Sequence, residues 1–155
     1  MAVDKKLIFR KINLIIKDLG KLRPISLLSW EEYLGKADYE VLAERYLERI
    51  IGRMIDINFH LITESGYPPP EDYFSSFKML GELKIIPLNQ AGRLARLAGL
   101  RNRLAHEYDA IDEKKIYSEL KKILKEASIY LEAVENFSDK NNPQKRLLKK
   151  FCHKL

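Results

Sequence analysis

The sequence predicts an all-α protein, an antiparallel bundle of about five helices folded as one domain. Apolar residues recur at three- and four-residue spacings along most of the chain, the periodicity of a helix with one buried face. No stretch of useful length alternates apolar and polar residues as a half-buried strand does, and no segment repeats another. A chain of 155 residues with only seven glycines and six prolines has enough length for one hydrophobic core.

The N-terminal part of the chain predicts one long helix and one short one. Asp4 can cap the first helix, which is expected to end within residues 20–24, where a glycine and a proline oppose its continuation. Ser29 and Glu32 have the spacing of a capping box, in which each side chain accepts a hydrogen bond from the backbone of the other. They predict a short helix that ends near Gly35.

A longer helix is predicted over about residues 39–64, with Asp38 as its cap. Three prolines at 68–70 stop it, because proline lacks a backbone donor and disfavours helical geometry in the residue before it. His60 lies in an apolar stretch of this helix, so we interpret it as a packed or partly exposed histidine and not as a ligand.

Two further helices precede the most polar part of the sequence. Acidic residues 71–72 suit the start of a helix that runs to about residue 83, and Tyr73 and Phe77 on it are interpreted as core residues. Pro87 separates this helix from the next one, which begins at about Leu88. A last helix is predicted after Asp109 and Asp112, which are its candidate caps.

The positive charge of the chain is concentrated at one end. The net charge is +6, yet residues 138–155 carry six basic side chains against one aspartate, which leaves 22 basic against 21 acidic side chains in residues 1–137. The sequence therefore predicts a helical domain over 1–137 and a basic C-terminal tail over 138–155. The single cysteine, Cys152, lies in that tail and suggests neither a disulfide nor a metal site.

One polar string interrupts the leucine-rich helical pattern, at residues 98–112. It contains Arg101 followed by Asn102, then His106 four residues further on, and Tyr108. Arginine, four residues, histidine, one residue and tyrosine is the motif of the HepT-type toxins, and the string resembles that family within the HEPN superfamily. The resemblance spans residues 4 to about 137.

The resemblance implies a metal-independent ribonuclease toxin of a prokaryotic toxin–antitoxin module, without a cofactor or a bound metal. Arg101 would hold the phosphate and His106 would move protons, with Asn102 in support. Tyr108 would accept AMP from a partner nucleotidyltransferase of the MNT class, which neutralises the toxin. The residue types suit this chemistry, because imidazole titrates near neutral pH and guanidinium offers paired donors to phosphate oxygens.

Helical geometry places a constraint on this motif. At 100° per residue, Tyr108 would lie about 20° from Arg101 around a continuous helix, whereas His106 would lie about 140° away. Either the helix ends or distorts between Arg101 and His106, or the site combines residues from two chains. The resemblance favours the second alternative, since HEPN ribonucleases typically dimerise with their motifs facing each other, and a two-fold homodimer is expected.

Two other functions remain open from the sequence. The chain is alternatively a non-catalytic nucleotide-binding or partner-binding subunit of a nucleotidyltransferase complex. A third reading is a basic helical adaptor that binds RNA or a membrane surface through residues 145–155. No apolar run approaches the length of a membrane span and no signal peptide is evident, so a cytoplasmic protein is expected.

Overall fold

The all-α architecture predicted from the sequence is confirmed. The computed structural model describes residues 3–138, and of Tyr108 only the backbone. These residues form six α-helices and one short 3₁₀ turn, which are α1 (Lys5–Ser26), α2 (Trp30–Leu34), α3 (Ala37–Glu64), α4 (Tyr73–Glu82), α5 (Leu88–His106), the turn Tyr108–Ala110 and α6 (Glu113–Ser138).

Helix α3 is the central element of the bundle. It has 28 residues and packs against all five other helices. Its buried side includes Leu47, Ile50, Met54 and Leu61, each fully excluded from solvent. This spacing of three and four residues is the one that the sequence displays, and it produces one continuous core through the bundle.

Helix α1 begins where predicted but ends later. The Asp4 carboxylate accepts a hydrogen bond from the backbone N–H of Leu7 and caps the helix. The helix then continues through Pro24 to Ser26, so the predicted end within residues 20–24 is wrong. Ile25 and Ser26 are buried, and their packing offsets the backbone hydrogen bond that proline cannot make.

The next two helix starts differ in how well the sequence predicted them. The capping box of Ser29 and Glu32 is present in full, and α2 ends before Gly35 as expected. Asp38, however, does not cap α3. The cap position is Lys36, whose side chain makes no capping hydrogen bond, and Asp38 lies in the first turn. There its negative charge still stabilises the helix N-terminus.

Helices α4 and α5 lie in close contact. The Asp72 carboxylate caps α4 by accepting a hydrogen bond from the Ser75 N–H at 2.7 Å. Near the end of α4, Gly81 approaches Ala91 of α5 so closely that a Cβ added to the glycine would lie 2.5 Å from the Ala91 Cβ. The two small residues therefore set the separation of the two helices.

A buried polar network ties three helices together. The Asn58 side chain on α3 donates to the Ser76 hydroxyl of α4 at 3.1 Å and accepts from the Tyr130 hydroxyl of α6 at 2.6 Å. The Ser76 hydroxyl in turn lies 2.6 Å from the Tyr73 carbonyl, to which it donates. Buried polar groups with satisfied partners fix the relative positions of the elements that carry them.

The last helix starts at the predicted cap. The Asp112 carboxylate accepts from the backbone N–H groups of Lys114 and Lys115, whereas Asp109 lies in the 3₁₀ turn. The predicted basic tail lies outside the described residues, apart from Ser138 at the end of α6. Among the helices that the structure describes, none is long and apolar enough to cross a membrane.

Candidate active site

Helix α5 carries most of the motif that the sequence singled out. Its apolar face, including Leu97, Leu100 and Leu104, is buried against the rest of the bundle. The motif residues lie on the remaining surface, where Arg101 is half-buried and Asn102 and His106 are exposed. The core therefore fixes the helix, and the helix presents polar side chains to solvent.

Arg101 is positioned by an aromatic ring and not by a carboxylate. Its guanidinium carbon lies 5.5 Å from the ring centroid of Tyr73, within cation–π range. Tyr73 itself packs edge-on against Phe59, with 6.1 Å between the ring centroids. Within residues 3–138 no acidic side chain pairs with Arg101, so its positive charge remains available to an anion.

His106 is the last residue of α5. The backbone leaves helical geometry at Glu107, whose N–H closes the final turn on the Arg103 carbonyl, and the 3₁₀ turn follows. Because α5 ends before Tyr108, the angle of about 20° between Tyr108 and Arg101 on a continuous helix does not apply. The chain direction changes between the histidine and the tyrosine of the motif.

The path of α5 bears on the geometry of the motif. Helix α5 is continuous from Leu88 to His106, so it neither ends nor distorts between Arg101 and His106. An offset of five helical residues places the two side chains about 140° apart around the axis and about 7.5 Å apart along it. The helix of one chain therefore points its arginine and its histidine in different directions.

An open groove of about 600 Å³ extends from Arg101 across α1, α3 and α4. Its lining includes Tyr73 and Phe59 at the Arg101 end and the basic residues Lys11 and Arg49 further along. The sequence did not predict this groove, because its residues come from four helices that are distant in the chain. Tyr73 was interpreted as a core residue, which is wrong, since 38% of its surface is exposed.

The structure also shows the surroundings of Phe77 and His60, which lie outside the motif. Phe77 is fully buried, as predicted. The His60 Nε2 accepts a hydrogen bond from the Asp4 backbone N–H at 2.9 Å, so His60 is a hydrogen-bonded, partly exposed histidine, as interpreted from its apolar surroundings. Within residues 3–138 no three His, Cys, Asp or Glu side chains are grouped as a metal site would require.

A carboxyl group with a raised pKa, that of Glu44, lies elsewhere, where α2, α3 and α6 meet. Burial, then the charge of and hydrogen bond to Glu113, and then the charge of Glu40 raise the pKa of Glu44 to about 7. The buried Tyr33 hydroxyl donates to the same Glu113 at 2.9 Å. Burial first, and then this hydrogen bond, raise the pKa of Tyr33 well above its ordinary value.

Comparisons with known proteins show the family to which the chain is similar. A family model described as "Ribonuclease HepT-like" matches residues 15–134. A tRNA nuclease HepT from Aphanizomenon flos-aquae is 28% identical over 135 residues, which cover 87% of this chain and 92% of that protein. The matched region contains the whole motif.

Two solved structures share the fold at low sequence identity. The tri-AMPylated HEPN toxin of Shewanella oneidensis, in complex with an MNT antitoxin, superposes with a TM-score of 0.76 at 18% identity, covering 83% of this chain and 96% of the toxin. YutE, a cytosolic protein of unknown function from Bacillus subtilis, gives a TM-score of 0.79 at 16% identity, covering 93% of this chain and 96% of YutE.

The fold defines the class as an all-α helical domain with the architecture of a HEPN toxin. On the extent of the family match, the chain belongs to the HepT-like ribonuclease family. The resemblance inferred from Arg101, His106 and Tyr108 is thereby confirmed at the level of the family.

Proposed function

We propose that this protein is a metal-independent endoribonuclease toxin whose active site forms between two copies of the chain. The observation that carries the proposal is the unbroken helix α5, which points Arg101 and His106 of one chain apart. A two-fold dimer with facing α5 helices brings the arginine of one copy towards the histidine of the other. Closed two-fold pairing is the commonest form of self-association.

The proposed reaction is attack of a ribose 2′-hydroxyl on the adjacent phosphorus. The 2′-oxygen–phosphorus bond forms and the phosphorus–5′-oxygen bond breaks, which yields a 2′,3′-cyclic phosphate and a 5′-hydroxyl end. His106 accepts the 2′-hydroxyl proton, and the departing 5′-oxygen takes up a proton. Arg101 binds the phosphate oxygens as negative charge develops, and Asn102 helps to orient the RNA or the dimer.

Arg101 is well suited to this role. Its guanidinium carbon lies over the Tyr73 ring at 5.5 Å from the centroid, and a cation–π contact uses none of the N–H groups that bind a phosphate in bidentate fashion. No carboxylate within the described part of the chain has to be displaced before the phosphate binds. The substrate is RNA, since DNA lacks the attacking hydroxyl. Transfer RNA is the first substrate to test, because a similar protein is named a tRNA nuclease.

The proposed regulator is a nucleotidyltransferase of the MNT class. The Tyr108 phenol oxygen attacks the α-phosphorus of ATP, pyrophosphate leaves, and AMP remains on the tyrosine. The added phosphate competes with RNA for Arg101, which neutralises the enzyme. A structure with the same fold is an AMPylated toxin bound to an MNT antitoxin, which supports this assignment. Both proteins are expected in the cytoplasm.

The deciding experiment is cleavage of a transfer RNA mixture in the presence of EDTA by wild type, Arg101→Ala and His106→Ala. We expect only the wild type to cut, leaving cyclic-phosphate ends. Equal cutting by all three proteins would indicate a contaminating nuclease and would overturn the proposal. If all three are inert while the wild type still binds the transferase, the non-catalytic companion-subunit alternative replaces it.

Modification of the tyrosine is tested separately by intact mass. Incubation with the transferase and ATP is expected to add AMP to the wild type and not to Tyr108→Phe. An unchanged increment in Tyr108→Phe would place the modification on another residue.

A further inference from the structure

The groove that begins at Arg101 has a role beyond the reacting phosphate. Along α3 it runs from Arg49 to Phe59, ten residues and about 15 Å of helix, and its volume is about 600 Å³. This volume lies within the range of about 300–1,000 Å³ typical of ligand sites. The groove therefore has room for more than the one phosphate that Arg101 binds.

The Arg101 end of the groove is aromatic. The Tyr73 ring is 38% exposed and lies against both Arg101 and Phe59. The ring packs edge-on against Phe59, and the Tyr73 backbone carbonyl accepts a hydrogen bond from the buried Ser76 hydroxyl. An exposed, fixed aromatic ring beside a phosphate-binding arginine is the arrangement that stacks a nucleic-acid base.

The far end of the groove carries both basic and acidic side chains, and one buried carboxylate pairs with its two arginines. Asp18 of α1 is 1% exposed, and its Oδ2 accepts a hydrogen bond from Arg53 Nη1 at 2.5 Å and forms an ion pair with Arg49 Nε at 3.0 Å. The Arg49 side chain is 37% exposed and that of Arg53 is 17% exposed, so Arg49 is the more accessible of the two to a phosphate.

We propose that this groove binds the nucleotides that flank the cleaved phosphate, with a base stacked on Tyr73 and a neighbouring phosphate bound by Arg49. The inference deepens the proposed function and rests on cleavage at Arg101. Asp18 is a positioning residue, since it orients Arg49 without contacting RNA. Binding by a stacked base and a backbone phosphate tolerates many sequences, so the groove favours single-stranded or unpaired segments.

The lining favours RNA over a second copy of the chain as the occupant. Four basic side chains, including Lys11 and Arg53, line the groove together with Glu48 and Asp56. The centres of protein–protein interfaces are depleted of charged residues, whereas single-stranded RNA is bound by basic grooves with aromatic rings.

The test measures binding and cleavage separately for Tyr73→Leu and Arg49→Gln. Binding is followed by fluorescence anisotropy with a short single-stranded oligoribonucleotide, 2′-O-methylated to block cleavage. Each variant is expected to bind about five- to tenfold more weakly than wild type, the loss typical of one stacked base or one phosphate contact. In cleavage of unmodified RNA, Arg49→Gln is expected to raise KM and to leave kcat unchanged. Tyr73→Leu is expected to raise KM and also to lower kcat, because it removes the ring that lies against Arg101.

Two matched variants serve as controls. Tyr73→Phe keeps the ring and is expected to bind like the wild type. Arg93→Gln removes another exposed arginine that is paired with a carboxylate, Glu126, but that lies outside the groove. It is expected to change binding much less than Arg49→Gln. Thermal unfolding of every variant shows whether a loss reflects unfolding, and Tyr73→Leu changes only a partly exposed side chain.

The outcomes separate this inference from the proposed function. Wild-type affinity in both Tyr73→Leu and Arg49→Gln would overturn the groove assignment and leave cleavage by Arg101 intact. A wild type that binds the oligoribonucleotide but cuts no RNA would overturn the proposed function, while the binding data still test the groove. Dissociation of the dimer by either substitution would show that the groove is a subunit interface and would also overturn the inference.

Discussion

Arg101 shows how one residue can be held in place without losing its charge. A carboxylate partner would orient the guanidinium but would compete with the phosphate. The Tyr73 ring attracts the guanidinium by a cation–π contact, with 5.5 Å between the guanidinium carbon and the ring centroid, and adds no negative charge that would compete with an anion. The two arginines further along the groove do have a carboxylate partner, since Arg49 and Arg53 share the buried Asp18.

The raised pKa of Glu44 predicts that the stability of the protein depends on pH. Its pKa is raised from 4.5 to about 7, so the folded protein binds this proton more tightly than the unfolded chain does. The resulting stabilisation is complete below pH 4.5 and is lost as the pH rises to about 7. Glu44→Gln, which is neutral at every pH, is expected to remove this part of the pH dependence.

Urea unfolding at about pH 5 and about pH 8 measures this effect. The free energy of unfolding should fall less between the two pH values in Glu44→Gln than in the wild type. Glu31→Gln, which removes an exposed carboxylate of α2, is the control and should keep the wild-type difference. An identical difference in Glu44→Gln and in the wild type would show that Glu44 does not bind the proton.

At the residue scale, the sequence identifies the residues of a motif more readily than the side chains that surround them in the fold. Arg101 and His106 are recognisable because their residue types and spacing form a motif. Tyr73 is not, since helical spacing places it on the same side as the buried Phe77 and gives no sign that α4 begins at the rim of the bundle. Arg49 and Asp18 are 31 positions apart in the sequence, and only the packing of α1 on α3 brings them together.

Among the elements, the pair α4 and α5 depends on a glycine. A methyl group at Gly81 would lie 2.5 Å from the Ala91 Cβ and 3.3 Å from a Leu88 methyl group. Gly81→Ala is therefore expected to push the helices apart and to lower the free energy of unfolding by about 1–3 kcal/mol, as overpacking does. The better helix propensity of alanine offsets only part of this loss.

Gly92→Ala is the matched control, on α5 itself. No atom lies within 4 Å of a Cβ added at that position. It is expected to raise the free energy of unfolding by about 0.5–1 kcal/mol, because alanine restricts the unfolded chain and favours the helix. Chemical denaturation of both variants measures the contrast. Equal effects at Gly81 and Gly92 would contradict close contact between the two helices.

At the element scale, the sequence predicts helix existence more reliably than helix ends. Asp4, Ser29, Asp72 and Asp112 cap helices as expected, because capping needs only local hydrogen bonds. The errors at Pro24 and Asp38 have a different cause. Burial of Ile25 extends α1 beyond its proline, and α3 begins at Ala37, one residue ahead of the better capping side chain.

For the whole molecule, the proposed two-chain site predicts complementation between two inactive variants. In a mixed dimer of Arg101→Ala and His106→Ala, one of the two sites receives an intact arginine and an intact histidine. Random exchange of subunits is therefore expected to restore about a quarter of the wild-type cleavage rate, since half of the dimers are mixed and half of their sites are intact.

The measurement is cleavage before and after co-refolding of the two variants, with each variant refolded alone as the control. A site contained within one chain would give no activity in any mixture, so an inert mixture that still dimerises would contradict the shared site. Co-refolding of wild type with the double variant Arg101→Ala, His106→Ala calibrates how completely the subunits exchange.

The unbroken α5 also has a consequence for gene dosage. If each site needs Arg101 from one chain and His106 from another, the cleavage rate rises with the square of the chain concentration below the dissociation constant of the dimer. Weak basal expression of the gene would then cause disproportionately less RNA cleavage than its full expression. A straight helix would thus set a concentration threshold for cleavage.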